Sequence, residues 1–121
     1  MPLRPIKFTA TNNEELYEQT EDLFKFMDGV INSIKDQIIS TNYCVEDTLW
    51  SSIEEWVKKA ERNSDNFNIE NRSPIQKINY VVQQARTSLK QYAIQKRPVD
   101  SKAIINKLRN LKLSVFSEII R

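Results

Sequence analysis

The sequence predicts an all-α protein, a four-helix bundle with an extended N-terminal arm, and three observations support this fold class. Only one glycine and four prolines occur among the 121 residues, whereas a β-rich protein needs these residues at its many turns. Apolar residues recur at steps of three and four along four segments, which places them on one face of a helix in each segment. Helix-capping residues precede three of the segments. A domain of this length buries roughly two-thirds of the surface of its unfolded chain, so one core suffices.

The N-terminal arm and the first helix are distinguished by their prolines and their apolar period. Residues 1–11 are expected to be extended, because two prolines interrupt them and no helical period is present. The first helix is predicted over about residues 12–40, with Thr11 as N-cap and Glu14 closing a capping box. Gly29 costs about 1 kcal/mol relative to alanine and marks a point where the helix can bend. The apolar face consists of Leu16, Leu23, Phe24, Met27, Ile31, Ile34 and Ile38.

The second helix and the loop after it come next along the chain. The helix is predicted over about residues 43–62, with Thr41 or Asn42 as its cap. In the asparagine-rich loop, Phe67 and Ile69 alternate with polar residues. We expect these two side chains to cover the end of the bundle as a lid, and the alternative is a short contact loop.

The third and fourth helices are predicted to form a hairpin. The third helix is expected over about residues 74–97, with Ser73 as its cap. The fourth is expected over about residues 101–120, with Asp100 as its cap. Their connection is only a few residues long, so the two helices should be antiparallel neighbours. Residues 12–121 are therefore predicted to form a single helical-bundle domain.

The composition argues against most kinds of catalysis. No histidine occurs, and Cys44 is the single cysteine, so the commonest general base is missing and zinc clusters of cysteine or histidine are excluded. A single glycine excludes the glycine-rich loops that hold phosphates. The acidic residues Glu15, Glu18 and Asp22 share one helix face, but no Glu-x-x-Asp motif follows on the next helix to complete a magnesium cage. We expect a protein that is not an enzyme and that holds no cofactor or metal.

The sequence also indicates where the protein works. No apolar run approaches the roughly 20 residues that span a bilayer, and the N-terminal stretch MPLRPIKFTA lacks the apolar segment of a signal peptide. A lone cysteine is consistent with a reducing compartment. We expect a cytoplasmic protein that makes no membrane contact.

Charge is distributed very unevenly along the chain. Residues 1–71 contain 7 basic and 14 acidic side chains, whereas residues 72–121 contain 11 basic and 2 acidic side chains. On a helical wheel, the basic residues of the third and fourth helices form stripes beside the apolar seam. Across an antiparallel hairpin these stripes would merge into one basic face suited to phosphates. The candidate phosphate contacts are Arg86, Lys90, Arg97, Lys102, Arg109 and Lys112.

A second group of residues lies at the edge of the apolar stripes or away from them. Exposed together, such residues form the kind of apolar patch that marks a protein interface, in which tryptophan and tyrosine are favoured anchors. The interface candidates are Trp50, Tyr80, Ile94, Phe116 and Ile120.

Three uses of the charge polarity remain open. The acidic half can neutralise the basic half inside one bundle, it can meet the basic half of another protein or of a second copy, or the basic half can bind RNA or DNA without reading bases. Our first hypothesis is a non-enzymatic protein–protein interaction module, an adaptor or small subunit of a larger assembly, with no small-molecule substrate. The second is a sequence-nonspecific nucleic-acid-binding subunit that uses the hairpin, and the third is a carboxylate–magnesium hydrolase.

Overall fold

A computed structural model describes residues 4–39, 47–67 and 73–119, and four α-helices account for most of this part of the chain. The helices are α1 (Asn13–Ser33), α2 (Asp47–Arg62), α3 (Ser73–Ile94) and α4 (Ser101–Glu118). A short 3₁₀ turn, Ser64–Asn66, follows α2. No strand occurs in the described ranges, so the predicted all-α class is confirmed. The predicted caps Thr41 and Asn42 of the second helix, together with Cys44, Ile69 and Ile120, lie outside these ranges.

The four helices form a closed bundle. Each helix packs against the next along the chain, and α4 returns to pack against α1. The α3/α4 pair is antiparallel, because Lys77 Nζ near the start of α3 lies 2.9 Å from Ser114 Oγ near the end of α4. This arrangement places α2 beside α3 and α1 beside α4, and α1 and α2 also contact each other.

The core is built from the apolar stripes that the helical period identifies. These side chains are excluded from water, and burying one leucine or isoleucine stabilises the fold by roughly 1.5–3 kcal/mol. Side chains with no exposed surface occur on all four helices; they are Leu16, Leu23, Met27, Ile31, Ile53, Ile78, Val82, Leu89, Leu108 and Val115. The opposite face of each helix does not take part in this core and can make other contacts.

The C-terminal end of α1 differs from the prediction. α1 ends at Ser33, not near residue 40, because the chain then pairs with the connection between α3 and α4. The Asp36 N–H donates to the Val99 carbonyl over 2.9 Å, and the Val99 N–H donates to the Gln37 carbonyl over 3.1 Å. Asp36 adopts a φ of 66°, in the left-handed region, to make this turn. Ile38 is consequently 62% exposed, and its assignment to the core stripe was wrong.

The N-terminal cap of α1 lies one residue later than predicted. Asn12, not Thr11, caps the helix, and its Oδ1 accepts a hydrogen bond from the Glu15 N–H at 2.9 Å. The Glu15 carboxylate in turn accepts hydrogen bonds from the N–H and the hydroxyl of Thr11. This pattern resembles a capping box that uses Glu15 in place of Glu14, but the Glu15 carboxylate bonds Thr11, the residue before the cap, and not the N–H of Asn12 itself.

The helices of the hairpin have well-defined ends. α3 ends at Ile94, earlier than the predicted residue 97, in the two-bond pattern of a Schellman motif. The Arg97 N–H donates to the Tyr92 carbonyl and the Lys96 N–H donates to the Ala93 carbonyl. The predicted cap of α4 is confirmed, since Asp100 Oδ1 accepts from the Ala103 N–H at 3.0 Å.

Ser73 does not precede α3 as a cap. It is the first residue of the helix, and its hydroxyl donates a hydrogen bond to Glu118 Oε2 at 2.8 Å. The start of α3 is thereby tied to the end of α4.

The N-terminal segment packs against its own bundle. Residues 4–10 form neither helix nor strand, and the buried ring of Phe8 makes edge contacts with Trp56 at 5.0 Å and with Phe67 at 6.0 Å between centroids. The Thr9 N–H donates to Gln19 Oε1 at 2.9 Å, which holds the segment beside α1. Phe67 is buried here, in agreement with the lid interpretation for this residue.

Candidate functional surface

Two of the six basic candidates are ion-paired inside the bundle. Arg86 on α3 binds Glu54 on α2, with 2.5 Å between Nη1 and Oε1. Lys112 on α4 binds Asp28 on α1, and its ammonium also lies 5.6 Å from the centre of the Phe24 ring. The Lys112 side chain is only 12% exposed, so its charge is already neutralised and mostly shielded from an external phosphate.

These two pairs show that the six basic residues do not merge into one face. Arg86 on α3 is directed to α2, whereas Lys112 on α4 is directed to α1, so the two side chains turn toward different acidic helices. Between α3 and α4, the only cation with a described ion pair is Lys77, which contacts Glu118. The expectation of a single basic face that includes Arg86 and Lys112 was therefore wrong, because each side chain finds a carboxylate on the neighbouring acidic helix.

The other four basic candidates face the solvent. Lys90, Arg97, Lys102 and Arg109 are exposed, and none of them forms an ion pair with another residue in the described ranges. Lys102 and Arg109 are seven residues apart and therefore share one face of α4. These four side chains are the basic candidates whose charge remains for an external partner.

The interface candidates have very different environments. Trp50 is a core residue at 4% exposure, so it is not the surface anchor that we expected; the apolar stripe of α2 is wide enough to include it. Phe116 is half-buried, and its ring packs against Tyr17 and Phe24 at centroid distances of 5.1 and 5.5 Å. Tyr80 and Ile94 are exposed, by 54% and 67%.

The exposed apolar side chains concentrate on the hairpin. Within the described ranges, the large apolar residues that are exposed are Ile38, Tyr80, Ile94 and Leu113. The hydrogen bond between Lys77 and Ser114 places Tyr80 and Leu113 at a similar height on the two helices. We call the solvent side of the hairpin the outer hairpin face, and it consists of Tyr80, Lys90, Ile94, Lys102, Arg109 and Leu113.

A polar groove separates α3 from α4 near their connection. Its volume is about 190 Å³, and the polar side chains along it are Ser88, Gln91, Tyr92, Gln95, Arg97 and Lys107. The helical wheel identified Arg97 as a candidate phosphate contact but did not identify the other five residues of the groove. Lys107 is seven residues before Ser114, which contacts α3, so the heptad spacing would have placed Lys107 on the side of α4 that faces α3.

Glu15, one of the acidic residues at the start of α1, serves the local structure. The hydrogen bonds from the Thr11 hydroxyl and backbone lower the pKa of Glu15 below its ordinary value, as expected for a carboxylate that takes part in a cap. No group of three or more potential metal ligands occurs within residues 4–39, 47–67 and 73–119. The described part of the chain also contains no helix with the length and apolar character of a membrane span.

The chain was compared with known proteins. No protein-family model, no curated protein and no solved structure matches it. The outer hairpin face and the groove beside it are the two candidate functional surfaces.

Proposed function

We propose that this protein is a non-enzymatic interaction module that binds an acidic partner protein through the outer hairpin face. The observation that supports this proposal is the mixture of side chains on that face. Tyr80, Ile94 and Leu113 are each more than half exposed, and they stand among cations that form no ion pair with described residues. Tyr80 and Leu113 lie near the start of α3 and the end of α4, whereas Ile94 is the last residue of α3. The partner that fits this face therefore presents carboxylates between two separate apolar contacts.

The two kinds of side chain have different roles in such a contact. Complementary charge orients the partner and accelerates association more than it adds affinity. Affinity comes from covering the apolar side chains, because their transfer from water is favourable. A phosphate backbone would neutralise Lys90, Lys102 and Arg109 but would leave Ile94 and Leu113 in water, so the mixed face fits a protein better.

A nucleic-acid-binding subunit is the second candidate. The exposure of Lys90, Arg97, Lys102 and Arg109 without described ion pairs favours it. Four phosphate contacts would give a slope of about −3 to −4 in log K against log salt. Replacing Ile94 and Leu113 with serine would not change the affinity for nucleic acid.

The two candidates can be separated with defined probes. We would measure fluorescence anisotropy of three labelled probes: a glutamate peptide with leucine at every third or fourth position, a polyglutamate peptide of equal charge, and an oligothymidylate. We expect the glutamate–leucine peptide to bind at least about tenfold more tightly than the other two at moderate salt, because only it covers the apolar residues.

Substitutions on the face give the matched comparison. The double variant Ile94→Ser with Leu113→Ser should weaken binding of the glutamate–leucine peptide about tenfold or more. The control is Ile38→Ser, since Ile38 is 62% exposed but lies outside the hairpin. If the oligothymidylate binds most tightly, with the steep salt slope and no effect of the double variant, the second candidate replaces the first. Failure of all three probes to bind would reject both.

A second copy of the chain is one partner with suitable charge. Exposed carboxylates on α1, those of Glu14, Glu18 and Asp22, could face the cations of another copy. Light scattering on the purified chain tests this arrangement. A dimer that Leu113→Ser dissociates would identify the second copy as the partner, whereas a monomer at all concentrations would point to a different protein.

A further inference from the structure

The groove between α3 and α4 has a lining suited to anions. Arg97 and Lys107 provide two cations, and Gln91 and Gln95 provide amide donors. No described carboxylate lines the groove. Two other surface cavities differ in this respect, since one is lined by Asp36 and Asp100 and the other by Glu54 and Glu61.

The cations of the groove have no counter-charge among the residues that the structure describes. Neither Arg97 nor Lys107 forms an ion pair with a residue in the described ranges. Ser88, which also lines the groove, is only 5% exposed, and its hydroxyl has no hydrogen-bond partner in the described part of the chain. An unmatched buried hydroxyl is unfavourable in a folded protein, so this wall of the groove has hydrogen-bonding capacity that the bundle does not use.

The groove is held by rigid backbone elements. The Arg97 N–H is bonded to the Tyr92 carbonyl over 3.0 Å, which fixes where the chain leaves α3. Asp100 caps the first turn of α4, and Lys107 follows on the same helix. Because both cations project from defined elements, the backbone does not have to reorganise when an anion binds between them.

We infer that this groove binds a small oxyanion of the phosphate type. Its volume of about 190 Å³ is far larger than the roughly 10–15 Å³ that a single water needs, so a tetrahedral anion has room to enter. The planar guanidinium of Arg97 matches two phosphate oxygens at once, and the ammonium of Lys107 acts as a compact charge. The inference is independent of the proposed function, because the outer hairpin face includes neither Arg97 nor Lys107.

The test is an NMR titration of the full chain, labelled with ¹⁵N, against inorganic phosphate at constant ionic strength. We expect saturable shifts of the amides around Gln91–Arg97 and Ala103–Lys107, with a Kd of about millimolar magnitude, typical of a small anion at an exposed site. Arg97→Gln and Lys107→Gln should each weaken binding at least about fivefold.

The matched controls are Lys90→Gln and Lys102→Gln, which remove the same charge outside the groove lining. These variants should change the Kd by less than about twofold, since screened charges at a distance contribute little. The same titration with glycerol phosphate distinguishes two sources of the anion. Equal affinity for glycerol phosphate and inorganic phosphate indicates a phosphate group carried by a larger molecule. Weaker affinity for glycerol phosphate indicates the free phosphate ion. Both results support the site.

Two results would overturn the inference. One is the absence of saturable shifts at constant ionic strength. The other is an equal loss of binding in the control variants and in the groove variants, which would indicate general attraction to the basic end of the bundle. If Arg97→Gln alters the folded spectrum itself, Lys107→Gln decides the question, because Lys107 makes no described contact that holds the helices together.

Discussion

Lys112 and Asp28 form an ion pair between α4 and α1, and the lysine side chain has little contact with water. The side-chain exposures are 12% for Lys112 and 32% for Asp28. The Phe24 ring covers the ammonium further. Taking such a charge out of water is costly unless a counter-charge accompanies it, so each partner depends on the other.

The variant Asp28→Asn should therefore destabilise the protein by about 1–3 kcal/mol, because it leaves the shielded ammonium without a counter-charge. The free energy of unfolding from denaturant titration measures this effect. Glu55→Gln is the matched control, since the pair of Glu55 with Arg62 is 59% and 65% exposed and should contribute less than about 0.5 kcal/mol. Adding Lys112→Met to Asp28→Asn should recover part of the loss. Equal effects of Asp28→Asn and Glu55→Gln would contradict this account.

Glu118 connects the start of α3 to the end of α4 and responds to pH. The hydrogen bonds from the Lys77 ammonium and the Ser73 hydroxyl lower the pKa of Glu118 below its ordinary value of 4.5. A carboxyl whose pKa is lower in the folded state than in the unfolded chain binds protons more weakly when folded. Its contribution to stability is therefore present above pH 4.5 and is lost as the pH falls through the lowered folded value.

The variant Glu118→Gln should remove this contribution. We expect lower stability than the parent at neutral pH and a smaller difference between the two proteins at acidic pH, where the parent carboxyl is protonated. Thermal unfolding across the acidic range measures the two curves. A constant difference at all pH values would show that Glu118 acts through packing and not through its charge.

Among the helices, α3 ends in a geometry that its residues do not favour. Lys96 adopts a φ of 53°, in the left-handed region, and it occupies the position of the Schellman motif where glycine is usual. The left-handed conformation costs a non-glycine residue roughly 1–2 kcal/mol. The hydrogen bonds of the Lys96 and Arg97 N–H groups to the last turn of α3 offset this cost.

The variant Lys96→Gly should stabilise the protein by about 0.5–1 kcal/mol, because the relief of strain exceeds the added freedom of glycine in the unfolded chain. Lys96→Ala is the control, since it removes the same charge and keeps the Cβ that causes the strain. The midpoint of denaturant unfolding compares the two. No advantage of glycine over alanine would mean that this backbone position carries no strain.

At the scale of the whole molecule, the N-terminal segment joins elements that are distant in sequence. Phe8 packs against Trp56 of α2 and against Phe67 after the 3₁₀ turn, and it is 5% exposed. Aromatic contacts of this geometry add to the stabilisation from burial itself. The segment is thus part of the folded core and not a free tail in this structure.

The variant Phe8→Ala should cost about 3–5 kcal/mol, as expected for the removal of a buried aromatic ring. Lys7→Ala, at an exposed neighbouring position, should change stability by less than about 0.5 kcal/mol. Calorimetry or denaturant unfolding gives both values. A small effect of Phe8→Ala would indicate that the segment docks without supporting the core.

The basic charge of the hairpin is partly neutralised by carboxylates of α1 and α2, and the rest remains unpaired among the described residues. Glu54 of α2 and Asp28 of α1 each neutralise one cation of the hairpin. The exposed cations of the hairpin have no described ion pair; they are Lys90, Lys96, Arg97, Lys102, Lys107 and Arg109. The remaining charge shares the hairpin with the exposed apolar residues and with a groove that no described carboxylate lines, which is why we place both proposed interactions on the hairpin.

The sequence by itself determined the fold class and most of the core, because these depend on neighbours within a few residues. The three- and four-residue period placed Leu16, Leu89 and Leu108 correctly in the interior. The cap at Asp100 was also predicted, since its partner Ala103 is only three residues away. Such features follow from local backbone geometry and need no knowledge of the packing.

Only the tertiary structure decided where α1 ends and which charges remain for a partner. The turn after Ser33 depends on hydrogen bonds to Val99, more than sixty residues along the chain. Arg86 and Lys90 lie one helical turn apart and look alike on a helical wheel, yet Glu54 of α2 neutralises only Arg86. A helical wheel shows the direction of a side chain but not what lies in that direction. The packing of α2 against α3 places the Glu54 carboxylate beside Arg86, so Arg86 becomes part of the structure while Lys90 stays exposed.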